Sequence, residues 1–316
     1  MEPENIKLTD PMYQKTILAA ELYYTYHLTQ QEIAKKLGVS RPWVSKLLKR
    51  AEDIGIVRIE VLTPTAGILE LENKLKKRYS LVNARVIKQT IETDNDIIHL
   101  ARAAANYLIS VLKSNDIIGV SWGKTLAMMA QQLIPLHYPG IMVVPLLGGM
   151  GQDPELLSNQ IASKIALALN GKCFLLHAPA FTVGLAERDV FLSDPIIKNT
   201  IKKGEQTTVA IFGLGSLWKS TILQRGYITL SEIKELAELG AVGDIALRFI
   251  NKDGEIIPHD IHKRLVASDL NKVKNNAREV IGVAGGLHKV DVIRAALNGK
   301  WLDVLITDVR TAEKLL

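Results

Sequence analysis

The stretch GVSWGKT, residues 119–125, sets two hydroxyls (Ser121, Thr125), one ammonium (Lys124) and Gly123 between an apolar run and a helical one. Those groups suit phosphate: hydroxyls and backbone N–H groups donate to its oxygens, lysine adds charge, and the following helix turns its N-terminus to the anion. The ending Gly123-Lys124-Thr125 is also that of a nucleotide-binding P-loop, G-x-x-x-x-G-K-[ST]. That motif needs its first glycine at position 118, which is Ile118, and Gly119 stands one residue too close. The shorter loop cannot wrap a β-phosphate with successive N–H groups, so a phosphomonoester fits better than a nucleotide. The dinucleotide fingerprint fails too. Gly213-x-Gly215 meets Trp218 where a third glycine belongs, and Gly149-x-Gly151 is followed by Pro154.

Other reactive side chains are sparse. Asp244, Glu255 and Asp260 could serve as a carboxylate base for sugar isomerisation, but no matched acid and base stand at a telling spacing. His259-Asp260-Ile261-His262 lacks a clear third ligand, and no metal is expected there. Cys173 is the single cysteine, which excludes an intramolecular disulfide and a cysteine-rich metal site. No cofactor is expected, and no catalytic residue is assigned.

The glycine loops need a scaffold, and the text from about residue 81 supplies one. Apolar, β-rich runs at 84–88, 117–120, 141–147, 172–176, 208–212, 279–284 and 304–307 alternate with helical stretches such as 97–112 and 156–169. This alternation predicts an α/β domain with a mostly parallel sheet covered on both faces. Four strands end in glycine: GVSWGKT, LLGGMG, FGLGS at 212–216 and VAGG at 283–286. Ligands bind beyond the carboxyl ends of such strands, so four converging loops predict a pocket.

The first sixty residues read differently. Tyr13, Ile17, Ala20 and Tyr24 predict the inward face of a first helix. Thr29-Gln30-Gln31-Glu32 is a capping box opening a second, which Gly38 ends; Ser40 is the expected N-cap of a third, with Pro42 in its first turn and Val44, Leu47, Leu48 and Ala51 inward. Helix, glycine turn and capped helix predict a helix-turn-helix whose last helix enters the DNA major groove. Six basic residues and no acidic one lie between Lys35 and Arg50. Arg41, Pro42, Trp43, Ser45, Lys46 and Lys49 are left outward, the N-terminal ones placed for base edges and the lysines for phosphates. Trp43 either presses on DNA or folds back on the first helix. Residues 56–61 alternate as a strand with Arg58 outward, a small wing. The head therefore spans 1–62, an amphipathic helix follows at 63–80 as a dimerising connector or a spacer, and 81–316 form the effector and oligomerisation domain.

The whole has 47% hydrophobic and 23% charged residues and a net charge of +6. No apolar stretch is long enough to span a bilayer, and Glu2, Glu4 and Asp10 leave no secretory pattern, so a cytoplasmic protein with no membrane partner is expected.

LTQQEIAKKLGVSRPWVSKLLKRAEDIGIVRIEV, DIIGVSWGKTL, VVPLLGGMG, VAIFGLGSL, GAVGDIALRFINKDG and VAGGLHKVDVIRAALNGKWLDVLITDVRTAEKLL, in this order and spacing, resemble the SorC family of bacterial sugar-responsive transcriptional regulators. The resemblance implies an effector domain with the fold of ribose-phosphate isomerase, glucosamine-phosphate deaminase and CoA-transferase. It implies a phosphorylated sugar as effector, operator DNA as partner, and assembly into homodimers or homotetramers. By the same resemblance Ser121, Gly123 and Thr125 hold phosphate, and Gly148 and Gly149 approach the sugar. Gly213, Gly215 and Ser216 line the opposite wall, Asp244 binds sugar hydroxyls and Lys289 neutralises the ligand. Lys124 stands where small or hydroxylated residues are usual in the family, and Leu147 where some relatives carry an imine-forming lysine. The alternative is a sugar-phosphate isomerase or deaminase-like enzyme carrying a DNA-binding head.

Overall fold

The computed structural model of the chain describes residues 10–57, 66–93, 96–149, 157–219, 222 and 227–316. The chain divides after Thr63 into two compact units.

The first unit is built on three helices, α1 (Pro11–Ala20), α2 (Gln30–Leu37) and α3 (Arg41–Asp53). At the start of α2 the Thr29 N–H donates to Glu32 Oε2 at 2.8 Å, and Glu32 N–H donates back to the Thr29 hydroxyl at 3.3 Å. Gly38 closes the helix at φ +64°, a left-handed conformation open to glycine, and so turns the chain into α3. Val44, Leu47, Leu48 and Ala51 are all buried, as their spacing predicts. Ser40 holds the N-cap position, but its hydroxyl makes no capping bond. The predicted inward face of the first helix holds in part: Ala20 is buried and Tyr24 packs against the helical core, but Ile17 is exposed and Thr16 and Ala19 are buried instead. Thr16 tolerates burial because its hydroxyl donates to the Met12 carbonyl at 2.7 Å. The helix then widens into a π segment over Glu21–Thr25, which shifts the phase of the tyrosines that follow. Of the expected wing, Ile56 and Val57 form a bend, and its remainder, Arg58 included, lies outside the described residues.

The second unit is a nine-stranded sheet. Seven strands run parallel in the order β1-β9-β8-β5-β2-β3-β4: β1 (Asn83–Ile87), β2 (Ile117–Val120), β3 (Met142–Pro145), β4 (Lys172–Cys173), β5 (Val209–Ser216), β8 (Glu279–Val283) and β9 (Val304–Asp308). Each was legible as an apolar run, because a strand covered on both faces does not alternate. The antiparallel pair β6 (Ala241–Ile245) and β7 (Arg248–Asn251), which extends from the end of β5, was not. Alternating β5 residues feed the cores on the two faces of the sheet: Ala210 and Phe212 pack with Phe249 and Ile293, while Val209 and Ile211 pack with Leu100, Leu126 and Ile161. Removing each large side chain from water contributes roughly 1.5–3 kcal/mol. The second core is covered by α5 (Ile97–Val111), α6 (Lys124–Gln132) and α7 (Ser158–Ala168).

Helix α4 (Ala66–Tyr79) belongs to this unit and is no free connector. Leu75 is fully buried, Tyr79 donates to the Leu315 carbonyl at 2.7 Å, and the buried Glu72 carboxylate accepts the Val86 N–H of β1 at 2.9 Å. An edge-strand donor is thus satisfied inside the chain instead of being offered to a neighbour. Among the described residues no helix is long and apolar enough to cross a membrane.

Candidate functional site

A cavity of about 290 Å³ opens above the carboxyl ends of β8, β5 and β2, three neighbours in the sheet. β2 and β8 contribute the loops that follow them, and β5 contributes its own carboxyl-terminal residues. From β2 come Trp122, Gly123, Lys124 and Thr125; from β5, Gly213, Gly215 and Ser216; from β8, Gly285, His288 and Lys289. The hairpin adds Asp244, and the segment after β1 adds Glu92 and Thr93.

Gly123 is the N-cap of α6 at φ +109°, and nothing lies within 4 Å of where its Cβ would stand. A side chain there would be strained and would intrude beside the first N–H groups of the helix. Thr125 is nearly buried behind it and Lys124 is exposed. Ser121 does not line the cavity: it is buried, and its Oγ accepts the Gly213 N–H at 3.3 Å, which ties the β2 loop to β5.

Across the cavity, Gly215 leaves no room for a side chain, since its Cβ would fall 2.1 Å from Asp244 Oδ1. The Ser216 hydroxyl is buried without a hydrogen-bond partner among the described residues. Asp244 is buried, and desolvation pushes its carboxyl up to about 7, against the opposing pull of the Leu247 N–H and the Lys289 charge. Lys289 ends a tight turn (Leu287–Lys289) that follows Gly286 at φ +95°. That turn is anchored by the buried Asp308, whose Oδ2 accepts the Gly286 N–H at 2.7 Å and the Thr311 hydroxyl at 2.5 Å.

Gly148 and Gly149, expected to approach the sugar, are not among the residues that line this cavity. They follow β3, which lies beyond β2 on the side away from β5 and β8. Gly148 donates to the Val266 carbonyl at 2.9 Å and Gly149 to the Ala178 carbonyl at 2.8 Å. A Cβ on Gly148 would sit 2.4 Å from the Pro179 carbonyl oxygen, so glycine there permits a close backbone crossing. Sequence reasoning also missed Glu92, Thr93, Trp122, Lys219 and His288. Only Trp122 and His288 had a signal, as neighbours of recognised loops. Among the described residues, no cluster of His, Cys, Asp or Glu suits a metal ion.

In the first unit Arg41, Pro42, Trp43, Ser45, Lys46 and Lys49 are all exposed. Trp43 does not join the helical core; it stays on the open face with the Lys46 ammonium 6.0 Å from its ring centroid. The chain thus presents a basic, aromatic-bearing face at the start of α3, a surface suited to the DNA major groove.

Two family models match the chain, one on each side of the division after Thr63 apart from a single residue. Residues 63–316 match the Sugar-bind family of sugar-binding domains, and residues 14–52 match region 4 of sigma-70. The chain is 35% identical to the deoxyribonucleoside regulator of Bacillus subtilis (strain 168), over 96% of this chain and 97% of that protein. It is 28% identical to the sorbitol operon regulator of Klebsiella pneumoniae, over 94% and 96% of the two chains. The crystal structure of the full-length sorbitol operon regulator SorC from Klebsiella pneumoniae superposes with a TM-score of 0.75 at 26% identity, covering 97% of this chain and 99% of that one. A DeoR family transcriptional regulator from Listeria monocytogenes gives 0.73 at 28% identity, over 79% and 100%. With a helix-turn-helix head, a cavity at the strand ends and these relatives, the chain belongs to the SorC family of sugar-responsive transcriptional regulators and is not an enzyme.

Proposed function

We propose that the chain binds operator DNA through α3 and releases or retains it according to a phosphorylated sugar held in the cavity. The observation that carries this reading is the composition of the cavity. At one end stand Gly123, Thr125 and the N-terminus of α6; the ammonium groups of Lys124, Lys219 and Lys289 and the His288 imidazole border it; Asp244 and the Ser216 hydroxyl, unpartnered among the described residues, face it from the hairpin side. The first set suits a phosphate dianion and the second suits sugar hydroxyls. Ser121 acts here by fixing the loop, and Gly148 and Gly149 by allowing the neighbouring crossing. The relatives are named for a deoxyribonucleoside and for sorbitol, which supports a sugar ligand that differs between members.

The chain acts as a homodimer or homotetramer in the cytoplasm. One head covers one half-site, and a two-fold operator needs two. Effector occupancy changes how effector domains pack on one another and hence the spacing of paired heads. The test is a thermal-shift screen of the full chain with pentose, 2-deoxypentose and hexitol phosphates, their unphosphorylated counterparts, and nucleotides. Stabilisation by phosphorylated sugars alone is expected. Stabilisation by nucleotides alone overturns the reading, as does a stabilising sugar phosphate that leaves operator binding unchanged.

A further inference from the structure

Asp244 reaches the cavity from a turn that its backbone disfavours. Ile245 pairs with Arg248, so only Ala246 and Leu247 connect β6 to β7. A two-residue hairpin of this hand needs positive φ at both positions, a role usually met by Asn-Gly. Here φ is +47° at an alanine and +66° at a leucine, both buried. Residues in such conformations persist only where their surroundings hold them.

Polar groups hold this turn from both sides. The Leu247 N–H donates to Asp244 Oδ2 at 3.0 Å. Arg248 reaches back, with Nη1 donating to the Ala246 carbonyl at 2.9 Å and Nη2 to the Ser268 carbonyl at 2.6 Å. Ser268 is itself fixed, its N–H donating to the Leu146 carbonyl at 2.8 Å and its Oγ to the Ile201 carbonyl at 3.2 Å. These hydrogen bonds of the Arg248 guanidinium go to backbone carbonyls, the Asp269 carboxylate supports its charge, and it does not line the cavity. Arg248 is half-buried, so holding its guanidinium to two backbone carbonyls gives up part of its hydration, and what is gained is geometric.

We propose that Arg248 is the positioning residue of the effector cavity: it clamps the strained Ala246-Leu247 turn to the Ser268 segment and so holds the Asp244 carboxylate against Gly215, facing the effector. The proposal rests on the reading that this cavity takes the effector, but its test needs no ligand.

The test follows the stability of the full chain in urea between pH 5 and pH 8 for the wild type, Asp244→Asn, Arg248→Met, Arg248→Lys, Ala246→Gly and the Arg248→Met, Ala246→Gly double variant. With Asp244 held in place, the wild type loses on the order of tenfold or more in its folding equilibrium constant relative to Asp244→Asn across that range. Arg248→Met releases the turn, lets the carboxylate reach water and removes this pH-dependent loss, and Arg248→Lys retains part of it. Ala246→Gly alone keeps the wild-type profile, and in the Arg248→Met background it restores the profile by relieving the strain that the clamp opposes. A wild-type profile in both Arg248 variants, or no restoration by Ala246→Gly, overturns the proposal. If Arg248→Met does not fold, Arg248→Lys with and without Ala246→Gly decides between the same outcomes. Failure of the sugar-phosphate screen bears on the effector reading and leaves this profile untouched.

Discussion

The Ser121 hydroxyl at the end of β2 accepts the backbone N–H of Gly213 in β5 at 3.3 Å. This bond joins the loop that cradles one end of the cavity to the strand that forms its wall. It gives Ser121 a structural part in holding the cavity wall without lining the cavity. Ser121→Ala leaves that donor unmet and is expected to cost about 1–2 kcal/mol of stability in the effector unit. Sugar-phosphate affinity falls with it, because Gly123 and Thr125 lose their register against β5. Urea denaturation alongside effector titration separates the two effects.

Two glycines that look alike in the sequence should behave in opposite ways. Gly215→Ala drives a Cβ onto Asp244 Oδ1 and should abolish effector response. Gly148→Ala meets the Pro179 carbonyl, which is not part of the cavity lining, and should cost about 1–3 kcal/mol of stability while the folded protein binds effector normally. Thermal-shift midpoints with and without effector distinguish the cases.

Asp244 makes effector binding depend on pH. Its carboxyl titrates near 7 in the folded chain, above its ordinary range, so between those values the folded state holds a proton that the unfolded state has lost. Folding stability from this group is therefore highest at acid pH and declines as pH rises through 7. An ionised Asp244 also repels a phosphorylated ligand, so affinity should weaken from pH 6 to pH 8 in the wild type and weaken less in Asp244→Asn. Calorimetric titration of both proteins across that range checks the difference, since ionisation of the ligand itself is common to the two.

On the DNA side, Arg41 and Lys46 should fail differently. Arg41→Ala should lower affinity for the operator by about 1–3 kcal/mol with relaxed discrimination between sequences. Lys46→Ala should weaken all DNA and reduce the salt slope by about one. Fluorescence anisotropy over a salt series reads both, and equal effects on specific and random DNA for Arg41 would remove it from base reading.

Thr29 carries the start of α2. Replacing it with alanine removes a reciprocal cap and should destabilise the head by about 1 kcal/mol, visible as an earlier melting of the first unit in calorimetry.

Local chemistry was legible wherever it is written in neighbouring residues. The capping box at Thr29, the left-handed Gly38, the inward stripe of α3 and the seven apolar strands follow from short-range sterics, hydrogen bonding and hydrophobic period. The sequence by itself therefore determined a helix-turn-helix head, a parallel α/β unit and the glycine-bearing strand ends of β2, β5 and β8 that border the cavity. It did not determine which glycine served what end. Gly148 and Gly215 differ only in whether backbone or the Asp244 carboxylate faces the missing Cβ, and strand order decides that. Nor did Ala246-Leu247 announce a hairpin, since neither residue favours positive φ by itself. Tertiary structure imposes that turn, because Arg248, Ser268 and the burial of both side chains stabilise together what the local backbone resists.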